Sequence, residues 1–185
     1  VEQPCLVISN HTIHLDWSMI LRTLPRRFRL RTAVAAAADD IFGNWARAFT
    51  GRLFGNAFPF DREGGGVRAS LEHVNGLLDE GWNVLIFPEG TRRPTFPFPP
   101  PDYKRGVTAL YRTLHVPCVP IAVNSGLYWP RKSWMRYPGT IVAEILAPIA
   151  PGLGSLEFTS ALVDRIETNS QRLISEGLIS SAASL

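Results

Sequence analysis

Leu6-Val7-Ile8-Ser9 is a nearly unbroken apolar run that breaks into Asn10-His11-Thr12 and then enters the periodic stretch Ile13 to Leu24. A run without polar alternation belongs in the middle of a sheet covered on both faces. The stretch that follows puts Leu15, Met19 and Ile20 at helical spacing and predicts a helix. The same strand-then-helix sequence recurs along the chain. Strands are predicted over Arg29 to Ala36, Asn56 to Phe60, Asn83 to Phe87, Cys118 to Val123 and Thr140 to Leu146. Pro88 must end the third of these, because proline cannot donate to a ladder. Helices are predicted over Ile41 to Phe49, from Val67 through Leu71, Val74 and Leu78 to a stop near Gly81, and over Val107 to Leu114 and Leu156 to Ile174. Residues 94–101 (PTFPFPPP) form a stiff, polyproline-like loop inside one domain, since the pattern resumes after it. The expectation is a single α/β domain over residues 1–185, layered, with a mostly parallel central sheet flanked by helices.

Composition narrows the class. With 185 residues, mean hydropathy +0.03 and a formal charge of +3, the chain is neither disordered nor too short for a core. Its longest apolar candidate, Ala33 to Ala38, falls far short of the roughly 18 residues needed to span a bilayer. Two cysteines, Cys5 and Cys118, lie too far apart for a disulfide framework or a four-ligand zinc site, which favours a reducing compartment. The chain opens with a core strand already under way, so a membrane-engaging N-terminal segment is expected outside it. The basic excess is local: residues 91–140 carry eight Lys and Arg against one acid, Asp102. Arginine's planar fork suits phosphate, anionic headgroups or nucleic acid, and charge alone does not choose among them. Within this segment Trp129, Trp134 and Tyr137 alternate with Arg131, Lys132 and Arg136, a mixture suited to an anionic membrane surface.

Two constellations carry chemistry. At about 100° per residue, His11 and Asp16 would stand roughly 140° apart on one helix. His11 therefore sits in the turn, where an Asp16 carboxylate in the first helical turn can reach one ring nitrogen, fix the tautomer and stabilise the imidazolium. The same spacing suits a first-turn acid favoured by the helix dipole beside a turn histidine without chemistry. His14 reads as structural. The second constellation is Phe87-Pro88-Glu89-Gly90-Thr91-Arg92, at the carboxyl end of a strand, where open α/β sheets bind ligands. There Glu89 can accept a hydrogen bond from a substrate hydroxyl, Gly90 permits close backbone approach, and Arg92 can fork onto phosphate.

Together these residues resemble the glycerolipid acyltransferase family. His11 and Asp16 match its His-x-x-x-x-Asp motif, and Phe87 to Arg92 match its Phe-Pro-Glu-Gly-Thr-Arg motif letter for letter. Gly55 to Arg62 (GNAFPFDR) is similar to the intermediate block ending in a substrate-binding arginine, and Val116 to Ile121 resembles the fourth block. Asn124 to Tyr137 is similar to bacterial members of the lysophosphatidate-acylating branch. A proline-rich loop leading to Tyr103-Lys104-Arg105-Gly106 replaces the usual Gly-rich approach, with Lys104 the natural counterpart of the family lysine.

The resemblance implies catalytic His11 and Asp16, with Arg62, Glu89, Gly90, Thr91, Arg92 and Lys104 binding the acceptor. It implies acyl transfer from acyl-CoA or acyl-ACP to lysophosphatidic acid, giving phosphatidic acid in phospholipid biosynthesis. It further implies no metal or resident cofactor, no nucleic-acid partner, and a seat on the cytoplasmic face of the inner membrane, peripheral or anchored by an N-terminal segment. The alternatives are the same chemistry on glycerol-3-phosphate or a lyso-aminolipid, or a non-catalytic module that binds anionic lipid. A serine hydrolase would need a Gly-x-Ser-x-Gly elbow, which the sequence lacks.

Overall fold

The computed structural model describes residues 3–37, 56–61, 66–95, 101–131 and 133–182. The strands are β1 (Leu6–Ser9), β2 (Thr32–Ala37), β3 (Ala57–Phe60), β4 (Asn83–Ile86), β5 (Cys118–Val123) and β6 (Ala143–Ile145). The helices are α1 (Asp16–Thr23), α2 (Arg26–Arg29), α3 (Gly66–Asp79), α4 (Arg105–Leu114), α5 (Ser125–Tyr128) and α6 (Ser155–Ala182). The strands form one sheet in the order β3-β2-β4-β1-β5-β6, parallel throughout except for β6, which runs antiparallel to β5.

Strand alternation divides the core in two. Leu6, Ile8, Ala33, Val84, Ile86 and Cys118 face one side and pack against α3, α4 and α6 through Val74, Leu110, Tyr111, Phe158, Leu162 and Ile166. Val7, Val34, Leu85, Val119 and Ile121 face the other side, under Ile20 and Leu21 of α1. Each fully buried Leu, Ile or Phe contributes roughly 1.5–3 kcal/mol over leaving it in water. Both faces of β1 are thus apolar, as its sequence requires.

The order of strands places the site. β1 pairs with β4 through Leu6↔Val84 and with β5 through Leu6↔Cys118, both in parallel. The segments leaving the carboxyl ends of β4, β1 and β5 are therefore neighbours, the crevice in which open α/β sheets hold ligands.

Several boundaries depart from the periodicity. Helix α1 starts at Asp16, not Ile13, because Asp16 Oδ2 accepts the backbone N–H groups of Thr12 and Ile13 at 2.6 and 2.9 Å and holds them in a turn. The strand predicted from Arg29 starts at Thr32, because Pro25 opens a one-turn helix over Arg26–Arg29, with Arg29 N donating to Pro25 O at 3.0 Å. β6 is shorter than predicted, and α6 runs to Ala182 instead of stopping at Ile174. Gly177 does not end α6. A Cβ there would come within 2.7 Å of Leu127 Cδ2, so this glycine permits close approach of α5. One-turn α5 itself was not foreseen. The helix predicted over 41–49 lies outside the described residues. No helix among the described residues is long and apolar enough to cross a membrane.

Candidate active site

His11 occupies the turn after β1, and its Nδ1 lies 2.9 Å from Asp16 Oδ2. Asp16 is fully buried, the more demanding position for a carboxylate, and it is met by donors on both oxygens. Oδ2 takes the two turn N–H groups as well as His11, and Oδ1 accepts from Ser125 Oγ, which also lies 2.7 Å from Thr12 Oγ1. A carboxylate only accepts, so Nδ1 carries the ring proton and Nε2 remains an acceptor. The imidazole stacks on Phe87 with ring centroids 4.1 Å apart and 23° between planes. The turn is pinned to β5 by Asn10, whose side chain donates to Val123 O and accepts from Val123 N, both at 2.9 Å.

The β4 turn meets this base from the side. Gly90 takes φ +66°, a left-handed conformation that glycine adopts without a Cβ penalty, and its N–H donates to Phe87 O at 3.2 Å. The reversal sends Glu89 inward and Thr91 and Arg92 outward. Glu89 is 2% exposed; its Oε1 accepts from His11 N at 3.2 Å and from Arg93 Nε at 3.0 Å. Burial pushes its carboxyl up to about 7, against the lowering effect of the Arg93 guanidinium. Its Oε1 thus faces protein donors, whereas Oε2 is buried with no hydrogen-bond partner among the described residues. Arg92 is half-exposed, with Nη1 against Nε2 of exposed His14, which brings His14 beside the β4 turn.

Lys104 lies at the exposed edge, paired with Asp102 at 2.5 Å, while its backbone N–H donates to Pro88 O at 2.8 Å. Arg62 lies outside the described residues. Among the described residues no group of three or more His, Cys, Asp or Glu could hold a metal. Sequence reasoning missed Ser125, Thr12, Arg93 and Glu167. Arg93 is visible as an extra arginine after the motif, whereas nothing in the sequence links Glu167 or Ser125 to His11.

The comparisons agree with this architecture. The family model described as Acyltransferase matches residues 1–124. A 1-acyl-sn-glycerol-3-phosphate acyltransferase of Pseudomonas aeruginosa is 50% identical over 64 residues, covering 35% of this chain and 24% of that protein. The alpha form of Mus musculus is 28% identical over 167 residues, covering 89% of this chain and 56% of that protein. The chain therefore spans from about a quarter to just over half of these relatives' length. The crystal structure of the 1-acyl-sn-glycerophosphate (LPA) acyltransferase PlsC from Thermotoga maritima superposes with a TM-score of 0.74 at 19% identity, covering 94% of this chain and 67% of that one. That likeness extends the shared fold past residue 124, through the part of the chain that contains α6. With a histidine held by a buried aspartate at the carboxyl end of β1, and the family match running through that turn and the β4 turn beside it, the chain belongs to the acyltransferase family.

Proposed function

We propose that the protein transfers a fatty acyl group from an acyl-CoA or acyl-ACP thioester to the free hydroxyl of lysophosphatidic acid, giving phosphatidic acid. The observation that carries this reading is the His11–Asp16 pair: a ring whose Nδ1–H is tied to a buried carboxylate leaves Nε2 to take a proton. The acceptor oxygen attacks the thioester carbonyl as its proton passes to Nε2. The C–S bond then breaks, and the imidazolium returns the proton to the leaving thiolate. Asp16 holds the ring and balances its transient charge, and no acyl-enzyme is needed. Arg92, with Arg62, binds the acceptor phosphate, and no resident cofactor takes part. The names borne by the relatives support the choice of acceptor. A matrix of acyl-CoA and acyl-ACP against lysophosphatidic acid, glycerol-3-phosphate and a lyso-aminolipid tests it. Turnover is expected to be highest on lysophosphatidic acid, and preference for another acceptor would overturn the assignment.

The cysteines support direct attack. Cys5 lies at the amino end of β1, the far end from His11, and lines an apolar cavity of about 320 Å³ with Val7, Leu24, Phe28 and Val119. Burial pushes its thiol up to about 11 and that of Cys118 higher still, which leaves little thiolate at neutral pH. The double variant Cys5→Ala, Cys118→Ala is expected to keep its activity. An acyl group trapped on either sulfur during turnover would contradict direct transfer.

The reading also seats the protein on the cytoplasmic face of the inner membrane through the loop after α5. Trp134 is 95% exposed, Met135 and Tyr137 are exposed beside it, and the Arg136 guanidinium lies 3.1 Å from the Trp129 ring centroid. Aromatic rings at headgroup level with cations meeting anionic lipid suit this surface. Sedimentation with vesicles is expected to show binding that grows with anionic lipid and weakens with salt. Equal binding to neutral and anionic vesicles would remove the electrostatic part.

A further inference from the structure

The contacts of Glu89 continue beyond His11, across to the last helix. Arg93 Nε donates to Glu89 Oε1 at 3.0 Å, while its Nη2 donates to Glu167 Oε1 on α6 at 2.6 Å. Tyr103, beyond the proline-rich loop, donates its hydroxyl to the same Glu167 oxygen at 2.9 Å. The Arg93 and Glu167 side chains are 13% and 14% exposed, so two carboxylates share one guanidinium in a largely dry place. The main chain of His11 is gripped twice by this unit: its N–H by Glu89 Oε1 at 3.2 Å, and its carbonyl by the Arg93 N–H at 2.8 Å. Asp16 orients the ring, and the Glu89–Arg93 unit orients the backbone that carries it.

Resting on the reading of His11 as the base, we propose that Arg93 and Glu167 are positioning residues for acyl transfer, with α6 anchoring the His11 turn through the chain Glu167–Arg93–Glu89. Glu167 lies outside the segment that the family model matches, so this anchor comes from a part of the chain that the motifs do not mark. Its partners are arranged for the task. An arginine fork can hold two carboxylates at once, which lysine's point charge does less well. Tyr103 supplies a further donor to Glu167, whose second charge would otherwise stand beside Glu89 with Arg93 alone to balance both.

The test is steady-state kinetics on Arg93→Gln, Glu167→Gln and the double variant, with Tyr103→Phe as the mild change. A displacement of about 1 Å at a reacting group can cost on the order of 100-fold. Turnover in each glutamine variant is therefore expected to fall by about 10- to 100-fold, with both KM values moving much less. The double variant should be no worse than the poorer single one, because the chain is cut only once. Tyr103→Phe, which removes one hydrogen bond and no charge, should lower turnover by about 2- to 10-fold and leave the fold intact.

The acid limb of the pH profile gives a signed readout. The charge of Arg93 lowers the Glu89 pKa and that of Glu167 raises it. Glu89 grips the His11 N–H best as a carboxylate, so its protonation loosens the turn that carries the base. With His11 and Tyr103 the other groups at this carboxyl, the limb should move to higher pH in Arg93→Gln and to lower pH in Glu167→Gln. Limbs that stay put or move together would overturn the proposal. So would losses that multiply in the double variant, or turnover within about twofold of wild type in both single variants. A wild-type protein inactive on every acceptor would instead overturn the reading of the site itself.

Discussion

Replacing His11 by alanine is expected to lower the turnover of acyl transfer by roughly 100- to 10,000-fold while the protein stays folded, the range for a lost general base. No second imidazole can take over: His14 stands beside the β4 turn against Arg92, away from the Asp16 carboxylate. Asp16→Asn should cost nearly as much. Oδ2 of Asp16 accepts from Thr12 N, Ile13 N and His11 Nδ1 together. An amide offers one acceptor oxygen and one NH2 group, so the substitution either turns the NH2 onto the three donors of the Oδ2 side or turns it onto Ser125, whose hydroxyl must then reverse to accept. The ring loses its counter-charge in both orientations, and in the first its tautomer as well. Circular dichroism with initial rates checks both variants, and a folded His11→Ala protein of normal turnover would contradict the mechanism.

Arg92→Ala is expected to raise the acceptor's KM by about 10- to 150-fold, the worth of a hydrogen bond to a charged group of roughly 1.5–3 kcal/mol. Arg92 stands against exposed His14 beside the His11 turn, and in the proposed reading it meets the acceptor phosphate there. Arg62→Ala should act alike from the segment after β3. The donor's KM should change much less, and an acceptor without phosphate should be nearly indifferent. Equal losses for phosphorylated and unphosphorylated acceptors would assign these arginines to folding or to the donor.

The sheet was legible because β1, β4 and β5 are written as apolar runs bounded by Asn10, Pro88 and Pro117, and because α3 and α4 keep their apolar residues on one face. The turn holding His11 was legible from angle alone: on a single helix the histidine and aspartate could not meet, so the strand had to end before the pair. Less visible were features made by contacts distant in the chain. Ser125 reaches Asp16 across 109 residues, and Glu167 reaches Arg93 across 74. Glu89 shows the same limit, since a motif reveals that a carboxylate stands at the strand end but not which way it points. That direction follows from the positive φ at Gly90 and from the largely buried Arg93 guanidinium that Glu89 meets. The one-turn helix α2 escaped because Pro25 both breaks α1 and opens the next turn, a double role that short apolar patterns do not display.

In the proposed reaction His11 drives transfer of an intact acyl group from sulfur to a lipid hydroxyl. Mass spectrometry of the lipid, together with the thiol released, tests it most directly when the wild type and His11→Ala are given a defined acyl thioester and lysophosphatidic acid. One phosphatidic acid is expected for each thiol freed by the wild type, with both products nearly lost in the variant. Thiol release accompanied by free fatty acid, or phosphatidic acid formed at the same rate without His11, would contradict it.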